Sequence, residues 1–319
     1  MSDHVSDAPA AAPALPSLRA RAFDSDLWHS FRRSKLTVAA ALVTLILILC
    51  AILAPLIAPH DPHNPATLNL MNGFTPPMEA NAFTGESFWL GTDDQGRDMF
   101  SAILYGLRIS LFVGAAAVAL AMAIGITLGL IAGYVGGWLD TLIMRIADIQ
   151  LTFPSILVAM LIFGVAKGVT PPEMRDQVAI WVLILAIGLS DWVQFARTVR
   201  ASAMVERRKE YVAAARLIGR SSAAIMLRHV APNAMGPVLV IATISLALAI
   251  IAEATLSFLG VGAPPTAPSL GTLIRIGQGF LFSGEWWILF FPAVTLLTLA
   301  LAVNLLGDWL RDALNPKLR

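Results

Sequence analysis

The sequence predicts an all-α polytopic membrane protein with six transmembrane helices and both termini on the cytoplasmic side. Three observations lead there. Of 319 residues, 57 % are hydrophobic and only 13 % charged, roughly half the charge of a soluble domain. Mean hydropathy is +0.73, so the chain lacks the polar residues to coat a water-soluble globule. The apolar residues also fall in long uncharged runs, and Lys and Arg favour alternate loops.

A helix rises about 1.5 Å per residue and the bilayer core is about 30 Å thick, so a span needs roughly 20 apolar residues. Residues 36–58, 109–139 and 286–307 contain no charged side chain, and 229–252 has only His229. Two further spans are less clean. Residues 142–166 carry Arg145 and Asp148 near their start, and 177–190 is short but extends past Asp191 toward Arg197. The first span is too long and too far from the start for a cleavable secretory signal. Residues 1–35 read as a cytoplasmic tail, its first 20 residues rich in Ala, Pro and Ser and expected to be flexible.

Orientation follows from the basic residues. Five stand in the N-terminal tail (Arg19, Arg21, Arg32, Arg33, Lys35), eight in the loop 197–232 and three in the tail 308–319, which makes 16 on one side. The other side has Arg97, Lys167, Arg175 and Arg275, with Arg108 at its edge. Residues 59–107 therefore form an acidic external segment, and 108–307 a transmembrane core whose basic loop faces the cytoplasm. The net charge of +1 gives no general attraction for nucleic acid. The single cysteine, Cys50, forms no intrachain disulfide and reads as apolar filler in span 1.

Within the spans, Gly125, Gly129 and Gly133 repeat every four residues, the spacing that lets two helices approach closely in lipid. Pro154 and Pro292 are candidate bends. Intramembrane charges mark polar paths by default. Arg145 and Asp148, at i and i+3, are expected to neutralise each other. Asp148 and Glu253 are the two candidates for a translocation path, with helix capping as the other reading of Glu253. Trp286 and Trp287 are expected interfacial anchors. In the segment Gly91–Asp98 the glycines permit turns, and Arg97 can pair with Asp93, Asp94 or Asp98. A self-braced turn entering span 2 is preferred there over a partner contact. His60 and His63 flank Asp61-Pro62, but two histidines without further ligands are not read as a metal site.

The loop 197–232 is the most informative stretch. Tyr211, Ala214, Ala215 and Ile218 fall at i, i+3, i+4 and i+7, one face of a helix that Gly219 ends. A short helix with a small-residue face and flanking charge suits a groove on another protein. Lying flat on lipid is the alternative.

The run from Glu210 to Gly219, followed by Arg228-His229-Val230-Ala231-Pro232-Asn233, resembles the "EAA" loop of ABC importer permeases, closest to the dipeptide/oligopeptide/nickel class. Ala214, Ala215, Gly219 and Pro232 match that pattern. Ala213 stands at its acidic position, and Glu210 supplies an acid nearby. Three further segments are similar to the second, "C"-type, permease subunit of those transporters. They are Trp89–Asp98, the turn Ser257–Gly262 with Pro264 and Pro265, and Asn304–Pro316. The resemblance implies a type I importer permease fold and a heterodimer with a homologous permease. It also implies two cytoplasmic ATPase subunits that bind ATP and Mg, an external solute-binding protein, and a bacterial inner membrane. It implies that Glu210, Tyr211, Ala214, Ala215, Arg216, Ile218, Gly219 and Pro232 form the ATPase-docking element. Ala214, Ala215 and Gly219 would give close approach, Tyr211 and Ile218 apolar anchorage, and Arg216 a polar rim contact.

The chain itself carries no nucleotide-binding motif. A P-loop needs Gly-Lys-Ser/Thr, and none of Lys35, Lys167, Lys209 and Lys317 follows a glycine or precedes Ser or Thr. Nor are there metalloprotease or serine-hydrolase motifs. The expectation is a non-catalytic permease subunit with no cofactor of its own. The competing class is an ion-coupled secondary carrier acting alone. That design wants titratable groups at the midplane, whereas Arg145, Asp148 and Glu253 cluster toward span ends.

Overall fold

The computed structural model describes residues 31–62, 64 and 68–314, a helical bundle with no β-strand among them. The expected flexible tail and His63 lie outside the described residues. Five helices are long and apolar enough to cross a bilayer, and one bent pair makes a sixth crossing if counted as a single span.

The first crossing, α1, is Lys35–Ile52; the Ser34 hydroxyl caps it by accepting the Thr37 amide at 3.3 Å. A single turn, α2 (Ala54–Ile57), follows with Pro55 at its start. Helix α3 (Met99–Leu130) begins at Asp98, whose carboxylate accepts the amides of Phe100 and Ser101. A π-helical turn, Ile131–Val135, extends it, and Gly136 at φ +74° ends it. Its 32 residues reach about 48 Å, well beyond the apolar thickness of a bilayer.

Residues 142–166 are not one straight helix. Helix α4 (Gly137–Leu151) and α5 (Ser155–Val169) meet at 95°. The break falls where Pro154 forbids helical geometry to Phe153 and offers no N–H of its own. Pro292, in contrast, lies inside the continuous helix α12 (Trp287–Leu314).

Helix α6 (Arg175–Glu206) also has 32 residues, so the loop expected to start at 197 is helical for its first ten positions. Its packing against α3 is explained by the glycine stripe. A Cβ on Gly129 would lie 2.5 Å from the Ala196 carbonyl oxygen, and one on Gly133 would lie 2.6 Å from that of Arg200. Gly125 meets Phe195 and Trp192 in the same way. Close backbone approach replaces the hydrophobic drive that lipid removes.

The chain then makes the short helix α7 (Glu210–Leu217), the turn α8 (Ser222–Ile225), a second π turn (Met226–Val230) and α9 (Ala231–Ala234). Helix α10 (Gly236–Phe258) follows, so the fifth crossing starts seven residues later than the uncharged run. Between α10 and α12 lies α11 (Leu270–Gln278), packed on α3, α10 and α12. Nothing in the run lengths announced it. At nine residues it is too short to span, and its small residues Gly271 and Gly277 let it press against the backbone of Ala254 and Ile288.

The buried core joins Met99 and Leu107 of α3, Ile250 of α10, Leu270 and Leu273 of α11, and Ile288 and Leu299 of α12. Leu36, Leu42 and Leu45 of α1, Leu161 of α5 and Leu297 of α12 point outward. In water such a rim would be a liability, and in a bilayer it is the lipid-facing surface.

Candidate docking site

The hairpin 207–235 is built on the far ends of α3 and α6. Helix α7 begins with Glu210 in its first turn, where an acid complements the helix dipole. It ends in a Schellman motif. The Arg220 amide donates to the Ala215 carbonyl at 3.1 Å, the Gly219 amide donates to that of Arg216 at 3.0 Å, and Gly219 adopts φ +78°. A Cβ on Gly219 would meet nothing within 4 Å, so the position needs glycine for its backbone angle and not for space.

Of the four residues expected on the docking face, Tyr211, Ala214 and Ile218 are exposed and Ala215 is buried. Val212 and Ala215 are enclosed with Ile225 and Val230, against Phe195, Val199 and Ala203 of α6. Tyr211, Ala214 and Ile218 face outward, and so does Leu217. Ala215 packs inside the chain beside Val212, which lies outside the i, i+3, i+4, i+7 set. The outward surface carries Leu217 and Ile218, 89 % and 75 % exposed, with Leu227 across the hairpin. Leu217 and Leu227 escaped the sequence reading; the signal was there in their apolar type within a basic loop.

Polar contacts brace this surface from behind. The Glu206 carboxylate accepts from the Tyr211 hydroxyl and, at 2.6 Å, from Lys209 Nζ. Burial first, and the neighbouring Glu206 second, push the Tyr211 phenol up to about 12, so it stays a proton donor. Asn233 Nδ2 bonds the His229 carbonyl at 2.7 Å. Exposed Pro232 stands in α9 directly after the π turn, whose wider backbone accommodates the ring. Arg216, expected at the rim, is exposed, and its guanidinium lies 5.8 Å from the centre of the Tyr134 ring. Arg207 Nη1 donates to the Tyr134 carbonyl at 3.2 Å. The hairpin is thereby fastened to the end of α3 as well as to α6.

The expected pairing of Arg145 with Asp148 does not form. Asp148 pairs with Arg197 and Asp140 with Arg200, which fasten α4 to α6. Arg200 presents its fork to both oxygens of Asp140, whereas Arg197 reaches Asp148 through one terminal nitrogen. Gln150 adds to this seam, donating to the Leu189 and Ser190 carbonyls and accepting from Trp192 Nε1 at 2.8 Å.

Glu253, a candidate path residue, is fully buried. Its carboxylate accepts from Ser110 and Ser257 hydroxyls, both at 2.7 Å. Those hydroxyls accept the amides of Leu270 and Ala263. In this chain Glu253 is a knot between α3, α10 and α11 and faces packed protein.

At the opposite end, Gly91–Asp98 is the self-braced turn expected. Arg97 Nε bonds Asp93 Oδ2 at 2.6 Å, both side chains buried, and Asp93 Oδ1 accepts the amides of Gln95 and Arg97 at 2.9 Å. Arg97 Nη1 also reaches the Pro265 carbonyl at 3.0 Å. Trp287 is no interfacial anchor. It is buried, and its Nε1 donates to the Thr92 carbonyl at 3.0 Å, while Trp286 remains half exposed. Burial, and then the Asp93 carboxylate, hold the Asp94 carboxyl above its ordinary value. A raised folded-state pKa favours folding at low pH and loses that contribution as pH rises through it. Asp94→Asn is therefore expected to raise the thermal midpoint at neutral pH, with the gain shrinking as the pH falls into the carboxylate range. Melting curves of both proteins across that range check it.

These features define a class: a multi-pass α-helical membrane protein that presents a rigid, apolar-tipped hairpin at one end. Residues 125–319 match the family model of the binding-protein-dependent transport system inner membrane component, and 25–77 that of the N-terminal transmembrane domain of oligopeptide transport permease C. The oligopeptide transport system permease protein of Bacillus subtilis is 37 % identical over 316 residues, covering 98 % of this chain and 96 % of that one. The di/tripeptide transport system permease protein of Pseudomonas aeruginosa is 36 % identical over 294 residues, 92 % of each. The glutathione transport system permease protein of Shigella flexneri is 39 % identical over 295 residues, 92 % and 90 %. The chain belongs to the family of binding-protein-dependent transport system inner membrane components. It is a permease of an ABC importer in the bacterial inner membrane, and a membrane component with no indication of catalysis of its own.

Proposed function

We propose that this permease carries peptides, pairs with a second, homologous permease, and is driven through the hairpin 207–235 by two cytoplasmic ATPases that hold the ATP and Mg. Both termini and the hairpin face the cytoplasm in this reading, residues 59–107 face outward, and an external binding protein delivers the solute. The observation that carries it is the pair Leu217 and Ile218, almost fully exposed on a helix whose other face is locked into α6. Apolar side chains held out on a rigid support, at the basic end of the bundle, fit a groove on a neighbour. The peptide substrate rests on relatives named for oligopeptide, di/tripeptide and glutathione transport.

The mechanical step follows from the fastening. Because α7 is packed on α6 and tied to Tyr134 at the end of α3, a displacement of the hairpin is passed to both long helices. Those helices share the tight glycine seam, and in this reading they move together. The drive works only where the hairpin binds the two ATPase states with different free energies. Reconstitution tests the reading. With partner permease, ATPases and binding protein, liposomes are expected to take up labelled tripeptide only with ATP, and the chain alone is expected to be inert under a proton gradient. Uptake by the chain alone would instead establish a secondary carrier.

A further inference from the structure

Three of the four basic residues assigned to the outer side converge on one cavity. Lys167 ends α5, Arg175 begins α6 and Arg275 is in the last turn of α11, and together they line a space of about 100 Å³. Its walls are otherwise mostly apolar, with Phe163, Val178 and Val182 among them. The remaining outer cation, Arg97, is neutralised by Asp93 and bonds the carbonyl of Pro265, which also lines the cavity.

The cluster is compensated from within only in part. Among the described residues, no carboxylate lies within ion-pair distance of Lys167, Arg175 or Arg275. Asp176 is the one acid in the lining, and its Oδ2 accepts from the Thr266 hydroxyl at 3.3 Å. Arg175 Nε is engaged by the Thr170 carbonyl, which leaves its terminal nitrogens free of that bond. Arg275 Nε is buried with no hydrogen-bond partner among the described residues. Three like charges from three elements repel, more strongly beside apolar walls than in water, and a buried unpaired donor costs its desolvation. An anion relieves both.

We propose that this cavity is a carboxylate site, and that it receives the carboxylate of an arriving peptide at the outer mouth of the permease. The assignment rests on the peptide-importer reading above. The space is large enough for a carboxylate, so the site is assigned to that end of the substrate. Arginine forks and a lysine suit that group.

The test uses the full complex in liposomes of zwitterionic lipid. Labelling of Arg275 by phenylglyoxal, read by mass spectrometry, is expected to fall when tri-alanine is added and to stay unchanged with tri-alanine amide. Arg275→Gln and Lys167→Gln are each expected to lower tri-alanine uptake at subsaturating concentration about tenfold, the worth of one charge-assisted hydrogen bond. Arg275→Lys is expected to restore most of it, which a merely misfolded variant would not show. Equal protection by acid and amide, protection that appears only when anionic lipid is added, or unchanged uptake in both neutral variants would overturn the site. Protection by tri-alanine without any uptake by the wild-type complex would uphold the site and sink the peptide-importer reading instead.

Discussion

Replacing Leu217 and Ile218 together by Asp is expected to abolish solute uptake while leaving the permease folded. Both side chains are almost wholly exposed in the chain, so nothing inside loses a contact. Burying a leucine or isoleucine is worth about 1.5–3 kcal/mol, so the pair supplies roughly 3–6 kcal/mol of docking, a hundredfold or more in affinity. Two carboxylates in an apolar groove would add a desolvation cost. The ATPases are expected to fall away on purification, with normal permease expression and melting. Val212→Asp makes the complementary case. Val212 is fully buried beneath the same helix, so that variant is expected to lower the melting temperature of the permease itself. Co-purification and melting curves of the two variants separate contact from support.

The second large effect is expected at the other end. Arg97→Met leaves the Asp93 carboxylate buried without its cation, a change that costs about 3–5 kcal/mol. It also removes the donor to the Pro265 carbonyl, which joins the turn before α3 to the loop after α10. Adding Asp93→Asn removes the stranded charge while its amide oxygen still accepts the Gln95 and Arg97 backbone amides. The double variant is therefore expected to recover part of the loss, though not the link to Pro265. Thermal unfolding of the single and double variants measures this. A double variant no more stable than Arg97→Met would show that charge burial is not the source of the cost.

Much of this architecture was legible in one chain because lipid imposes length. Uncharged runs of 22 residues or more located α1, α3, α10 and α12, and the glycine repeat identified a close helix seam before its partner was known. Gly219 as a helix stop and the internal pairing of Arg97 were legible for local reasons, since their partners lie within a few residues. What escaped was tertiary. The 95° break at Pro154 is an angle no run length encodes, and α11 is too short for the bilayer to select. Asp148 chose Arg197, 49 residues away, over its neighbour Arg145. Trp287 satisfied its indole on Thr92, far away in the chain, where composition alone placed it at the interface. At the hairpin the stripe rule found the helix and three residues of its outward face, but Ala215 turned inward beside Val212, the one large residue this eight-residue helix buries. Glu253 shows the same limit in a membrane. A carboxylate in an apolar run reads as a path, and only the serines of α3 and α10 that donate to it, one of them tied on to α11, reveal it as an internal knot.

The central claim, that the hairpin is a cytoplasmic handle gripped by a neighbour, is tested most directly by a cysteine at position 217. With Cys50→Ala to remove the native thiol and Leu217→Cys as the probe, a short bifunctional reagent applied to the assembled complex is expected to join the permease to an ATPase subunit. The yield should change between ATP-bound and nucleotide-free states, and a membrane-impermeant thiol reagent added to intact cells should leave the position unlabelled. Labelling from outside, or cross-linking only to lipid or to nothing in the functioning complex, would contradict the account.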